Sequence, residues 1–138
     1  MKIWNKNIKS SNASIDAFLS GEDIILDQEL FLYDIEASIA HAEELKAIGI
    51  LNASELKKIA KLFSVKKFKL TKKYEDCHSA IEDFLIKELG DLGKKIHTGR
   101  SRNDQVLVAM RLYARDHLDE IQSLNIKIAK AFLDKAPK

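Results

Sequence analysis

"SRNDQVLVAMRLYARDHLDEIQSLNIKIAKAFLDKA", residues 101 to 136, contains neither glycine nor proline. Its apolar positions Leu107, Met110, Ala114, Leu118, Ile121, Leu124, Ile128 and Phe132 step by three and four, which is one face of a helix. Ser101, followed three residues later by Asp104, is a pair able to close the first turn. At 1.5 Å per residue such a helix is on the order of 50 Å long. A compact chain of this length has a radius of gyration of only about 14 Å, hence a diameter near ~37 Å. The helix should therefore overhang its own domain, with its stripe covered by further chain or by partner subunits.

The residues before it extend the helical reading. Pro137 is the only proline, so long helices run without kinks. From Asp27, the apolar residues Phe31, Ile35, Ile39, Ala42 and Leu45 share a helical face, and Gly49 sits where a helix end favours positive φ. Asn52 with Glu55 forms a helix-starting pair. A short helix follows with Leu56, Ile59, Ala60 and Phe63 inward, and the two make a helical hairpin. "VKKFKL", residues 65–70, alternates enough for a short extended segment. In "YEDCHSAIEDFLIKELGDLG", residues 74–93, a helix is expected to start near Asp76 or Ser79. It turns Ile81, Phe84, Leu85 and Leu89 inward, and Gly90 and Gly93 end it. The fold class is all-α: a helical domain over residues 1–100, then one long helix from residue 101 through 138.

Composition narrows the function. The 46% hydrophobic content supplies a core, and 23 basic against 21 acidic residues leave a net charge of +2. That balance points to no nucleic-acid partner. Eight lysines without an acid crowd residues 57–73, but arginine is absent there and apolar residues interleave, so a solvated face is preferred over a nucleic-acid surface. No apolar run approaches a membrane span or a signal-peptide core. A lone cysteine, Cys77, fits a reducing compartment. The expected location is the cytoplasm.

The chemistry concentrates just before the long helix, in "KKIHTGRSRNDQV", residues 94–106. Unpaired N–H groups at a helix start, with the helix dipole, bind anions. Arg100 and Arg102 bring charged forks that match carboxylates. Thr98, Ser101 and Asn103 add hydroxyls and an amide. A densely capped helix start with solvated arginines is the plainer reading. The density of polar groups favours a site for a small polycarboxylate.

"HTGRSRNDQV" also resembles the first conserved segment of the argininosuccinate lyases and the lens δ-crystallins derived from them, within the fumarase/aspartase superfamily. The resemblance extends through "LYDIEASIAHAEELKAIGIL" and "EDCHSAIEDFLIKELGDLGKKIHT", nearly the whole chain. It implies β-elimination of argininosuccinate to arginine and fumarate in arginine biosynthesis, in a homotetramer, with no metal or organic cofactor. It assigns substrate binding to Ser101, Arg102, Asn103 and Thr98, and it places Asp76 and His78 at the site edge. The family's substrate-contacting serine lies eleven residues before the aspartate of "YDI". That count gives Asp23 rather than Ser14, so the serine contact is not carried over and Asp23 is its candidate replacement. The family's Thr-His segment and its mobile loop bearing the base serine do not occur in these 138 residues. The chain alone is therefore expected to be inactive, and neither His41 nor His97 takes those roles. A non-catalytic relative with a structural or interaction role is the alternative.

Overall fold

The computed structural model describes residue 18, residues 21–65, 70, 71 and 73–137. They form five helices: α1 (Asp23–Ala47), α2 (Ala53–Val65), α3 (Cys77–Leu89), α4 (Asp91–Lys95) and α5 (Arg102–Lys135). No strand occurs among the described residues, and the extended segment expected around residues 65–70 lies largely outside them. Among the described residues, no helix is long and apolar enough to cross a membrane.

The helix ends follow local chemistry. Gly49 takes φ +81° beyond α1. This lets Ile50 N–H reach the Leu45 carbonyl at 2.9 Å and Gly49 N–H reach the Lys46 carbonyl at 3.1 Å. Both otherwise orphaned carbonyls are thereby satisfied. Asn52 and Glu55 exchange backbone-to-side-chain bonds of 2.8 and 2.9 Å, starting α2. Asp76 Oδ1 accepts from Ser79 N–H at 2.7 Å, starting α3. Ser101 and Asp104 form the same reciprocal pair at α5.

α1, α2, α3 and α4 enclose Ala42, Leu45, Leu51, Ile59, Ile81, Leu85 and Ile96, with Phe31, Ile35, Leu56 and Phe63 packed against them. A smaller cluster of Ile24, Tyr74 and Ala80 extends this core. Two expectations need correction. Gly93 does not end α3, which stops at Gly90; it lies inside α4 and is buried. A Cβ there would sit 2.3 Å from the Leu85 carbonyl oxygen, so glycine is what lets α4 fold back onto α3.

The second correction concerns α5. Its inward face against α1 carries Gln105 and Ala109, both buried, with Leu112, Tyr113 and His117 half-buried. Tyr113 meets Tyr33 of α1 edge to face at 5.7 Å, a favoured aromatic geometry. The long apolar stripe is a different face. It stays uncovered along its whole length and not only distally, with Leu107, Met110, Leu118, Ile121, Leu124, Ile128 and Phe132 all about half exposed or more. Past His117 every described residue is exposed.

Three outcomes are expected. Gly93→Ala should destabilise by about 1–3 kcal/mol through overpacking. Gly49→Ala, which meets no atom within 4 Å, should cost only the left-handed backbone penalty, about 1–2 kcal/mol; denaturant melts compare the two. The bare stripe should drive self-association or fraying beyond about Ile121, since each buried aliphatic side chain is worth roughly 1.5–3 kcal/mol. Sedimentation read with amide exchange checks this, and a strict monomer protected along all of α5 would contradict it.

Candidate active site at the entrance to the long helix

Between α4 and α5 the chain turns tightly through residues 96–101. Thr98 N–H bonds the Lys95 carbonyl at 3.0 Å, and Arg100 N–H bonds the His97 carbonyl at 3.3 Å. From α1, His41 Nε2 donates to the Thr98 carbonyl at 3.1 Å. Lys95 Nζ reaches Glu55 Oε1 at 2.7 Å, tying the start of the turn to the start of α2.

Both arginines of the turn point inward. Arg100 donates from Nη1 to Ser38 Oγ at 3.1 Å, and its Nη2 lies 3.6 Å from Asp34 Oδ1. Its side chain is only 6% exposed. Burial pushes the guanidinium below its ordinary value, while Asp34 and then Asp104 oppose that shift. Arg102 donates to Asp76 Oδ2 at 2.5 Å and to Ser79 Oγ at 2.7 Å, with Glu75 Oε1 at 3.7 Å. Asp76 therefore caps α3 with one oxygen and holds α5 with the other.

The groups left facing outward are fewer. Ser101, Asn103 and Thr98 are exposed. The Ser101 hydroxyl is engaged as a cap, accepting from Asp104 N–H at 3.4 Å. The Asn103 side chain makes no hydrogen bond among the described residues. By helix geometry the N–H groups of Arg102 and Asn103 have no partner within α5. Asn103 and these N–H groups are the donors such an entrance offers to an anion. Asp23 is exposed in the first turn of α1, and no described hydrogen bond or ion pair joins it to the turn. Ser14 lies outside the described residues.

His78 is 3% exposed, with Nδ1 2.8 Å from Asp34 Oδ2 and 3.8 Å from Cys77 Sγ. Asp34, Cys77 and His78 bring one ligand atom each within 4.8 Å of one another. Their chemistry disfavours a metal. Arg100 already supplies a positive charge beside Asp34, and His78 Nδ1 is taken up by Asp34 itself at 2.8 Å. A groove of about 460 Å³ between α1 and α5, lined by Glu36, His41, Glu44, Arg100, Asp104 and Leu112, suits a polycarboxylate poorly. Three carboxylates face it, and Arg100 turns its charge toward Asp34.

The sequence reading did not assign Asp34, Ser38 or Ser79 to the site. A signal existed: Asp34 and Ser38 stand four apart on α1 beside the apolar positions Phe31, Ile35, Ala42 and Leu45, where a solvated polar residue is out of register.

A family model described as "Lyase" matches residues 5–138. The "Argininosuccinate lyase" of Xanthomonas euvesicatoria pv. vesicatoria (strain 85-10) is 50% identical over 141 residues, covering 97% of this chain and 33% of that protein. The protein of the same name from Xanthomonas oryzae pv. oryzae (strain PXO99A) is likewise 50% identical with the same coverage. That of Stenotrophomonas maltophilia (strain R551-3) is 49% identical. The chain spans about a third of the length of these curated relatives.

The capping of α5 gives a pH test. Backbone and then side-chain hydrogen bonding with Ser101 lowers the Asp104 carboxyl below its ordinary value. A depressed carboxylate stabilises the fold above its unfolded value, and that contribution is lost as pH falls through the folded one. Wild type should thus be more stable than Asp104→Ala at neutral pH, with the gap closing below the ordinary aspartate range. Thermal melts across that range read it directly.

Proposed function

Because this chain belongs to the lyase family, whose model spans residues 5–138, we propose that it supplies a substrate-binding segment of an argininosuccinate lyase. The reaction is the β-elimination of argininosuccinate to arginine and fumarate, in arginine biosynthesis. The observation carrying this reading is the entrance to α5, where exposed Ser101, Asn103 and Thr98 surround a helix N-terminus whose first N–H groups are free to meet an anion.

In that reaction a base takes the proton from the carbon next to a carboxylate, and the guanidinium departs. The intermediate gathers negative charge on the carboxylate. Fixed N–H dipoles and an amide already aimed at that position stabilise it without reorganising. Asn103 and the first turn of α5 fill this role here. Arg102, held by Asp76 and Ser79, sets the direction of that first turn and adds positive potential near the bound anion. Ser101 holds the turn closed through its cap, and Asp76 and His78 form the adjoining edge. Asp23, exposed at the start of α1, stands in for the family serine.

The rest of the reading follows the family. Residues 1–100 act as the N-terminal helical domain, and residues 101–138 begin a central helix bundle. The exposed stripe of α5 supports assembly of that bundle in a homotetramer, located in the cytoplasm. The base and the Thr-His pair come from segments other than these 138 residues.

A chimera tests the proposal. Residues 1–138 would replace the matching region of the Xanthomonas euvesicatoria protein. The chimera should release fumarate from argininosuccinate, while the 138-residue chain alone should not. Within it, Asn103→Ala should lower kcat/KM by roughly ten- to a hundredfold, as for losing a hydrogen bond to a charged group worth about 1.5–3 kcal/mol. A folded chimera without turnover, or one indifferent to Asn103→Ala, would overturn the reading.

A further inference from the structure

We propose that Asp34 is a positioning residue that fixes His78 as its Nδ1–H tautomer and leaves Nε2 as the ring atom that accepts from a substrate N–H. The inference deepens the proposed function only in naming that substrate group; the tautomer itself rests on hydrogen-bond accounting within the chain.

Asp34 sits on α1 with no exposure to solvent. The Arg100 guanidinium approaches its Oδ1 at 3.6 Å, and no hydrogen bond to that oxygen exists among the described residues. A carboxylate beside a guanidinium is an acceptor at both oxygens, and a guanidinium has no acceptor to offer. The other oxygen, Oδ2, lies 2.8 Å from His78 Nδ1. Two acceptors cannot share a hydrogen bond, so Nδ1 must carry the proton. In a neutral imidazole the second nitrogen is then an acceptor. Cys77 Sγ, 3.8 Å from the same Nδ1, does not compete. Burial keeps it a neutral thiol, whose sulfur is only a weak acceptor.

Nε2 makes no hydrogen bond among the described residues. Its location gives that freedom a use. His78 stands on the first turn of α3 between Asp76 and Ser79, and it is these two residues that grip Arg102 at the entrance to α5. The ring is therefore anchored by Asp34 on the turn of α3 whose neighbouring residues hold the entrance to α5. The chemical class that fits a neutral imidazole acceptor there is a guanidinium or ammonium N–H. The leaving end of the proposed substrate is a guanidinium. Arg100 takes part as a second positioning residue, since it ties the turn to the carboxylate that orients the ring.

Nitrogen-detected imidazole NMR on the 138-residue chain, with labelled histidine, tests this without substrate or turnover. Variants at His41, His97 and His117 assign the four rings. In wild type at neutral pH, His78 should show a protonated Nδ1 and a bare Nε2. A proton on Nε2, in the other tautomer or in an imidazolium, would overturn the proposal. Asp34→Ala removes the acceptor that holds Nδ1–H, so the wild-type signature should be lost; a folded Asp34→Ala chain with that signature intact would also overturn it. Should that variant not fold, the wild-type reading decides alone. Addition of argininosuccinate afterwards should shift the His78 Nε2 resonance, and failure at that step would count against the proposed function and not against the tautomer.

Discussion

One buried carboxylate organises the functional end of the molecule. Asp34 lies wholly inside, where an isolated charge is costly. Arg100 and His78 both converge on it, and each belongs to a different part of the chain. The turn before α5 and the first turn of α3 are thereby referred to a single point on α1. Buried ion pairs contribute little net stability, because desolvation offsets their attraction. Their value here is geometric: they set where the neighbouring groups can be.

The same economy recurs at Asp76. One oxygen satisfies an orphan N–H of α3 and the other receives Arg102. A capping group and an inter-helix clamp are thus one side chain. The two arginines that look, in the sequence, like free anion forks are spent on fixing the entrance. What remains outward to meet an anion is an amide, hydroxyls and the first N–H groups of α5, beside the exposed Asp104 carboxylate. Such groups hold a developing charge through dipoles already in place, and the inward cations stiffen the frame behind them.

α5 serves two surfaces at once. Ala109, whose single methyl lets the helices approach closely, is completely buried, and it is followed at helical spacing by Leu112 and Tyr113 on the side toward α1. The aliphatic stripe is left open on another side. A helix that is amphipathic toward its own domain and apolar toward solvent has two faces to bury. The described residues cover only the first.

The sequence by itself determined the four longer helices and most of their ends. Capping pairs such as Asn52–Glu55 and Ser101–Asp104, and the glycine after α1, act over three or four residues and need no distant partner. The position of the polar turn before α5 was legible for the same reason. Tertiary structure alone decided which face of α5 docks on α1, because spacing marks an apolar stripe without saying what it meets. It alone showed that Gly93 answers to a carbonyl on α3. It alone joined Asp34 to Arg100 and His78, 66 and 44 residues away, since the register that marks Asp34 as inward does not name its partners, and the contact exists only once the helices have packed.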